Sequence, residues 1–440
     1  MYRCLFHPHD LVTHNEDCSN NFARGNITIG KKMIDQVMER IRKAAEHTDL
    51  LQGFIATHSC SGGTGGGLTA YIFQCLIADY DKYSIIQLPI YPSPQQANTI
   101  VEPYNTVLHI HQAVDAVKLS AMMDNEAIGE LCQRSLMHRQ PTYHTMNQVI
   151  ALLTSSLLSP VRYPGCLTAG LPELETNLVP FPRIHFPVLR HAPFLHYSRS
   201  TQQASSIDQL VQQVFSTSGQ TVKCDLYRGK FMACVLSFRG LVGPRLVNSA
   251  LARIKGTPHF EFVDWCPTGV KVNLVAQPPV FMAHDSHIAP TDCSVTMLVN
   301  TSAIRSVWTT VSAKFDMMFS RRCFVHWFLN EGLEESEMVD ARETLASIER
   351  DYREIGLAGD RNANFLLSTP NKSKLNRRCW RPSRDQQLSF GHSLTEDVSE
   401  STTCPSDVGT MSYATESSRM PPNSVLNPPR MTIRRPALVH

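Results

Sequence analysis

The sequence lacks the features that mark several large classes of protein. Its formal net charge is only +2 over 440 residues, so bulk charge gives no reason to expect nucleic acid or a membrane surface as the main partner. It contains no run of about 20 apolar residues that would cross a bilayer. The N-terminus, MYRCLFHPHD, also lacks the basic lead and apolar core of a secretory signal. These absences argue against a membrane-spanning or secreted protein.

The thirteen cysteines lack the spacing of a disulfide framework or a zinc motif. Their number is odd, and no Cys-x-x-Cys pair occurs. His7, His9 and His14 lie close together, but their spacing is not that of a helical ligand pair and no Cys or carboxylate cluster completes the set. The sequence therefore predicts reduced thiols, exposed loop histidines and no metal-ligating residue.

Hydrophobic residues make up 42% of the chain, which is enough for a large core, and the length suggests two or three domains. Apolar residues recur at helical spacing from Lys31 to Thr48. A short apolar strand, Phe54 to Ser59, comes next, then a glycine-rich turn, then a second helix from Leu68 to Tyr80. This order of helix, strand, glycine loop and helix is typical of α/β nucleotide-binding folds.

The remainder of the chain changes character twice. A strand is predicted at Ser84 to Leu88 and a buried helix at Thr145 to Leu158, and short strands broken by Pro and Gly follow between about Val161 and Ser302. Apolar residues at steps of three and four then predict one long amphipathic helix from Met338 to Gly356. Beyond it, residues 357–440 are dominated by Ser, Thr, Pro, Asn and Arg, a composition that predicts disorder.

The segment Ser61 to Gly67, SGGTGGG, is the most informative stretch for chemistry. It follows a predicted strand and precedes a predicted helix. Glycines allow close backbone approach, and a helix N-terminus offers free amides and a partial positive charge, so a phosphate suits this position. A flexible turn without a ligand is the alternative interpretation of the same residues.

Together with this loop, several segments in unchanged order resemble the alpha-tubulin family. The loop itself departs from the family at Ser61 and Gly66, where alpha-tubulins usually have Gly and Ser. The resemblance runs from the first residues to about Gly356. The other matching segments are Asn20 to Gly30, Val101 to Asn105, Asp124 to Ile128, Asn177 to Pro187 and Phe262 to Gly269.

The resemblance implies an α/β tubulin-like fold and a division into five parts. A GTP-binding Rossmann-type domain would occupy residues 1–143, with its first strands missing, and a core helix residues 144–162. A second α/β domain with a mixed sheet would follow at 163–301, then a C-terminal helical hairpin at 302–356 and a disordered tail at 357–440.

The resemblance also implies GTP as the bound nucleotide. It assigns Ser59, Gly63 and Thr64 to the phosphates, with Gly62 and Gly65 in the same loop. Small residues and free loop amides suit phosphate oxygens.

A second group of residues is assigned by the same resemblance to the sugar and the base. Asn98 would lie near the sugar and phosphates, where the family usually has Thr, and Glu102 belongs to the neighbouring family motif. Asn125 and Asn147 would bond the guanine edge, since an amide offers a donor and an acceptor together. Tyr143 would stack on the base. Without the resemblance, Tyr143 and Asn147 read as an ordinary helix start.

Glu173 aligns with the glutamate that alpha-tubulins present to the GTP of the next beta subunit along the filament. A general base needs reach and a suitable pKa. Gly170 replaces an acidic residue of the family pattern, and in isolation Glu173 would be read as a solvated loop acid. Beta-tubulins carry lysine at this position and have a shorter loop where this chain has Pro278 to Asp292, so both features favour the alpha type.

Two departures from the family concern the ends of the chain. Met1 aligns inside the first domain, so the first strands and the acidic residue that holds Mg²⁺ in the family have no counterpart, and the strand Phe54 to Ser59 is expected to expose a backbone edge. Residues 357–440 hold eleven Lys and Arg against seven Asp and Glu and end at His440, unlike the acidic tails of the family.

The leading hypothesis is a structural subunit of cytoplasmic microtubules that binds GTP and pairs with beta-tubulin. Microtubule motors and associated proteins would be further partners, and GTP hydrolysis would be completed across the subunit interface. The alternative is a tubulin-like fragment or degenerate copy that binds no nucleotide and acts only by protein interaction. A dinucleotide-dependent oxidoreductase shares the element order, but the Gly-x-Gly-x-x-Gly spacing with a following acidic residue is missing.

Overall fold

The computed structural model describes residues 6–357, except 94, 138, 164, 168–169, 197–205, 217–218, 257–259, 267–268 and 280–287. The chain divides into two units, Met1–Cys379 and Trp380–His440, and every described residue lies in the first. The tail predicted to be disordered lies outside the described residues from 358 onward. So does the central part of the loop from Pro278 to Asp292.

The first sheet of the described residues has four parallel strands: β1 (Gly53–Ser59), β2 (Ser84–Tyr91), β3 (Leu119–Ser120) and β4 (Met123–Asp124). β2 lies at its centre and is buried at every position but one. β1 pairs with β2 along its whole length and with no other strand in the described part of the chain. β1 is therefore an edge strand, as the sequence predicted, and Ile55 on it is 38% exposed.

Five of the described helices flank this sheet, and the first, second and fifth of them lie where the sequence predicted helices. They are α1 (Ile29–Glu46), α2 (Thr69–Asp79), α3 (Glu102–Ala113), α4 (Asn125–Arg134) and α5 (Tyr143–Leu157). α3 is buried at nearly every position, because it lies between the first sheet and the helices of the C-terminal region.

The second sheet contains β5 (Gly165–Leu167), β6 (Val188–Ala192), β7 (Phe231–Arg239), β8 (Val270–Val275) and β9 (Ser294–Thr301). It is mixed, with strand order β5-β8-β7-β9-β6 among the described residues. β7 lies at its centre, parallel to β8 and antiparallel to β9, and is buried throughout. The helices of this part are α6 (Ser159–Arg162), α7 (Leu171–Leu178), α8 (Ile207–Phe215) and α9 (Pro244–Lys255).

Three helices end the described chain: α10 (Arg305–Phe319), α11 (Val325–Leu329) and α12 (Glu335–Leu357). The apolar series predicted for α12 is buried, which confirms its inward face, and the helix continues through Gly356 to Leu357. Among the described helices, none combines the length and the apolar character needed to cross a membrane.

Tyr104 joins α3 to the C-terminal helices. Its fully buried ring packs edge-on against Phe315, with ring centroids 5.2 Å apart, and against Phe328 at 5.6 Å. Its hydroxyl donates a hydrogen bond to the carbonyl of Cys323 at 2.8 Å. The helix that runs beside the glycine loop is thus fixed to the C-terminal region.

Candidate functional site

The glycine loop forms a π-helical turn, Gly63–Leu68, that continues directly into α2. Gly62 precedes the turn in an extended conformation. The amides of the first turn of a helix have no acceptor within the helix, and they carry the positive end of its dipole. A backbone of this kind is suited to an anion, and phosphate binding by this loop stays a prediction.

The glycines of this loop serve two different purposes. A Cβ on Gly63 would lie 2.5 Å from the carbonyl oxygen of Asn21, and one on Gly65 would lie 2.3 Å from the carbonyl oxygen of Ser59. Both glycines are thus required by close packing on the protein side of the loop. A Cβ on Gly62 would meet only a side-chain oxygen at 3.6 Å, so Gly62 is the glycine that faces open space.

Asn105 of α3 fastens the loop to the segment that precedes α1. Its Nδ2 donates to the carbonyl oxygens of Asn20 and Ser61, each at 2.7 Å, and its Oδ1 accepts from the amide of Phe22 at 3.1 Å. The side chain is fully buried. One amide group therefore satisfies three backbone groups from two separate segments.

A cavity of about 730 Å³ opens beside Gly62, between the loop and the N-termini of α3, α4 and α5. This volume lies within the usual range for small-molecule and cofactor sites. Six of the predicted residues line it: Ser59, Gly62, Asn98, Glu102, Asn125 and Tyr143. The other four, Gly63, Thr64, Gly65 and Asn147, lie outside its wall.

Glu102 shapes this wall through its buried carboxylate. Its Oε1 accepts hydrogen bonds from the backbone amides of Asn98 at 2.9 Å and Thr99 at 3.2 Å. The hydroxyl of Tyr143 donates to Oδ1 of Asn98 at 3.5 Å, and the Tyr143 side chain is 62% exposed. Glu102 thus fixes the loop that carries Asn98, and the ring of Tyr143 is exposed to solvent at the rim of the cavity.

An ion-paired group that the sequence analysis did not foresee forms another part of the wall. The carboxylate of Glu126 accepts from the amide of Gln95 at 3.0 Å and from Lys223, which also lies 2.5 Å from Oε1 of Glu130. Burial acts to raise the pKa of Glu126, but the hydrogen bonds from Lys223 and the backbone hold it below its usual value. Arg139, also unforeseen, supplies the one basic side chain among the described residues that line the cavity.

A larger cavity of about 1220 Å³ lies on the far side of Lys223, between α4 and α10. Its wall includes neither the glycine loop nor the N-terminus of α3 or α5. A nucleotide needs amides and polar side chains that converge on its phosphates and base, so the smaller cavity fits that ligand better.

Comparison with known proteins decides the family. Residues 2–133 match the family model described as Tubulin/FtsZ family, GTPase domain, and residues 182–313 match the tubulin C-terminal domain. The chain is 44% identical, over 80% of its length and 79% of theirs, to three fungal proteins. These are the tubulin alpha-1 chain of Emericella nidulans, the tubulin alpha-B chain of Neurospora crassa and the tubulin alpha chain of Sordaria macrospora. The chain belongs to the alpha-tubulin family. It is a cytoskeletal subunit of the tubulin type, with the two-sheet α/β fold that the sequence predicted.

Glu173, which the resemblance predicts to be catalytic, lies away from the cavity. Glu173 is in the first turn of α7, and its half-exposed carboxylate forms an ion pair with Lys271 of β8. Burial lowers the pKa of Lys271, a partner that the sequence analysis did not identify. Gly170 stands directly before α7 and contributes no carboxylate there.

The alpha-tubulin family implies a bound Mg²⁺, but the described residues that line the cavity offer no uncommitted carboxylate to coordinate it. The carboxylates of the described cavity residues are those of Glu102, Glu126 and Glu130. Each already accepts a hydrogen bond or ion pair from an N–H donor of the protein. Mg²⁺ prefers carboxylate and phosphate oxygens that are free to coordinate it. We therefore assign no residue of this chain to the ion.

Proposed function

We propose that this alpha-type chain holds GTP in the cavity beside Gly62 and pairs with beta-tubulin in cytoplasmic microtubules. The match of residues 2–133 to the tubulin GTPase domain is the observation that carries the proposal. The loop amides would bind phosphate oxygens, and Asn125, at the first position of α4, would bond the guanine edge. Motors and other microtubule-associated proteins would be further partners of the assembled filament.

Nucleotide binding is tested at Tyr143, the exposed aromatic ring at the rim of the cavity. Tyr143→Ala should weaken the binding of a fluorescent GTP analogue by about fivefold, because a stacked ring contributes about 1 kcal/mol beyond its area. Tyr83→Ala is the matched control, since Tyr83 is 37% exposed just before β2, at the opposite end of that strand. Equal affinity of the two variants would argue against base stacking on Tyr143.

We further propose that Glu173 serves as the general base toward the GTP of the next beta subunit. Its half-exposed carboxylate and the resemblance to the family support this role, for which the carboxylate has to leave its ion pair with Lys271. Glu173→Gln should slow phosphate release from polymer formed with beta-tubulin and leave assembly intact. Glu334→Gln, an exposed glutamate before α12, is the control. Unchanged phosphate release in the Glu173 variant would remove this residue from the reaction.

A second candidate function is an interaction protein that neither holds nucleotide nor polymerises. Two observations favour it: β1 has an unpaired edge within the described residues, and every carboxylate of the cavity wall is already engaged. Denaturing the purified chain and quantifying the released nucleotide by chromatography separates the two functions. About one guanine nucleotide per chain supports the GTP-binding subunit, and an empty chain supports the interaction protein.

A further inference from the structure

Three metal-ligating side chains meet beneath the glycine loop, outside the nucleotide cavity. They are His58 at the end of β1, Cys60 directly after it, and His109 in the middle of α3. One ring nitrogen of each histidine and the sulfur of Cys60 all lie within 4.8 Å of one another. Cys60 and His109 are fully buried, and the two imidazole rings are in edge contact, with centroids 4.9 Å apart.

The hydrogen bonds around His109 fix its tautomer. Its Nδ1 lies 2.9 Å from the carbonyl oxygen of Gly66, so Nδ1 carries the proton and donates it. In the neutral ring Nε2 therefore holds a lone pair, and it lies 3.3 Å from the side-chain amide of Gln87.

His58 approaches the same oxygen from the other side. Its Nε2 lies 3.1 Å from Oε1 of Gln87, and its Nδ1 lies 3.4 Å from the carbonyl oxygen of Ser59. The Gln87 amide also contacts Oγ of Ser120 at 3.0 Å, a hydroxyl that can donate or accept. Both rings thus have Nδ1 beside a backbone carbonyl of the loop region and Nε2 directed at one shared point.

We propose that His58, Cys60 and His109 form a binding site for a zinc ion, with Oε1 of Gln87 as the fourth donor. Imidazole nitrogen and thiolate sulfur are the donors that zinc prefers, and four such ligands give its usual tetrahedral geometry. A ligating histidine commonly donates its second N–H to a backbone carbonyl, which is the arrangement of His109 and Gly66.

The position of the site explains how an ion reaches it. His58 lies on the edge strand β1 and is only half-buried, whereas Cys60 and His109 lie behind it. Binding displaces the proton of the Cys60 thiol to solvent and draws the ligand atoms together, since zinc bonds of about 2.0–2.3 Å require closer donors than the present separations. The ion would then join β1 to α3 directly below Gly66, and this conclusion is independent of whether the cavity holds GTP.

The full chain, purified in the presence of chelator and then dialysed, tests the proposal with Zn²⁺ and with Co²⁺ as a spectroscopic probe. We expect one Zn²⁺ per chain by mass spectrometry of the metal, and a thiolate-to-cobalt charge-transfer band with Co²⁺. We also expect a rise in melting temperature with increasing Zn²⁺, because the ion binds only the native chain. A folded wild-type chain without the cobalt band would overturn the proposal, whatever the variants do.

Variants locate the ion. Cys60→Ser should abolish the charge-transfer band, and His109→Asn should lower zinc affinity at least tenfold while its amide can still donate to the Gly66 carbonyl. Cys234→Ser is the matched control, since Cys234 is an equally buried free cysteine in β7. One ion per chain and an unchanged band in the Cys60 and His109 variants would show that the metal binds elsewhere and would refute the site.

Discussion

The three hydrogen bonds of Asn105 yield a quantitative prediction. Asn105→Leu keeps the size of the side chain but leaves the Asn20 and Ser61 carbonyls and the Phe22 amide without their partner. Each buried polar group that loses its partner costs about 1–3 kcal/mol. Allowing for partial relaxation of the loop, we expect the free energy of unfolding to fall by about 3–6 kcal/mol, a large part of the stability of a typical domain.

The assay is urea unfolding followed by circular dichroism, with Thr106→Val as the control. Thr106 is the next residue of α3 and is also fully buried, but its Oγ1 has no hydrogen-bond partner among the described residues. Removing that hydroxyl should leave stability unchanged or raise it by about 1 kcal/mol. An Asn105→Leu midpoint within experimental error of the wild type, or a Thr106→Val loss of similar size, would refute the reasoning.

Three further predictions concern pH, the loop and the ion-paired wall. The free energy of unfolding should fall between pH 7 and pH 5, by up to about 1.4 kcal/mol per pH unit for each buried neutral histidine. The reason is that these histidines take up protons near pH 6.5 in the unfolded chain but only near pH 3–4 in the native chain. Urea titrations at several pH values check this. The three histidines are His109, His185 and His191. Gly65→Ala should prevent folding, whereas Gly62→Ala should fold and weaken GTP binding, as measured by thermal unfolding and nucleotide titration. Lys223→Met should lower the free energy of unfolding by about 1–2 kcal/mol at pH 7, and by less once the pH falls below the pKa of Glu126 in the folded protein, where that carboxylate takes up a proton; a double-mutant cycle with Glu126→Gln measures the coupling.

Local patterns predicted several elements of the fold, because an amphipathic helix or a buried strand has a regular pattern of apolar residues in its own sequence. α12 was predicted within three residues at its start, since its buried positions recur at steps of three and four. α5 begins at Tyr143 rather than at Thr145, because the side chain of Thr142 caps the helix by accepting from the Thr145 amide. β2 extends beyond Leu88 to Tyr91, through a proline that a single-sequence pattern treats as a stop.

The contacts that build the candidate site were not predictable in the same way. Lys223 and Glu126 are separated by 97 positions, and no local periodicity links them. The ring of His109 meets His58 only because α3 packs on the end of β1, an arrangement that depends on the packing of the whole domain. The glycine loop was located correctly, yet the sequence did not distinguish the glycines required by packing from Gly62, which faces the cavity.

The position of α3 has a mechanical consequence. Within a few turns this helix carries Glu102, which shapes the cavity loop, Asn105, which fastens the glycine loop, and His109, which bonds the Gly66 carbonyl. Tyr104 on the same helix is wedged between α10 and α11. α3 therefore links the cavity loop and the glycine loop directly to the C-terminal helices, so a partner that displaced those helices would have to break the contacts of Tyr104 or move α3 with them.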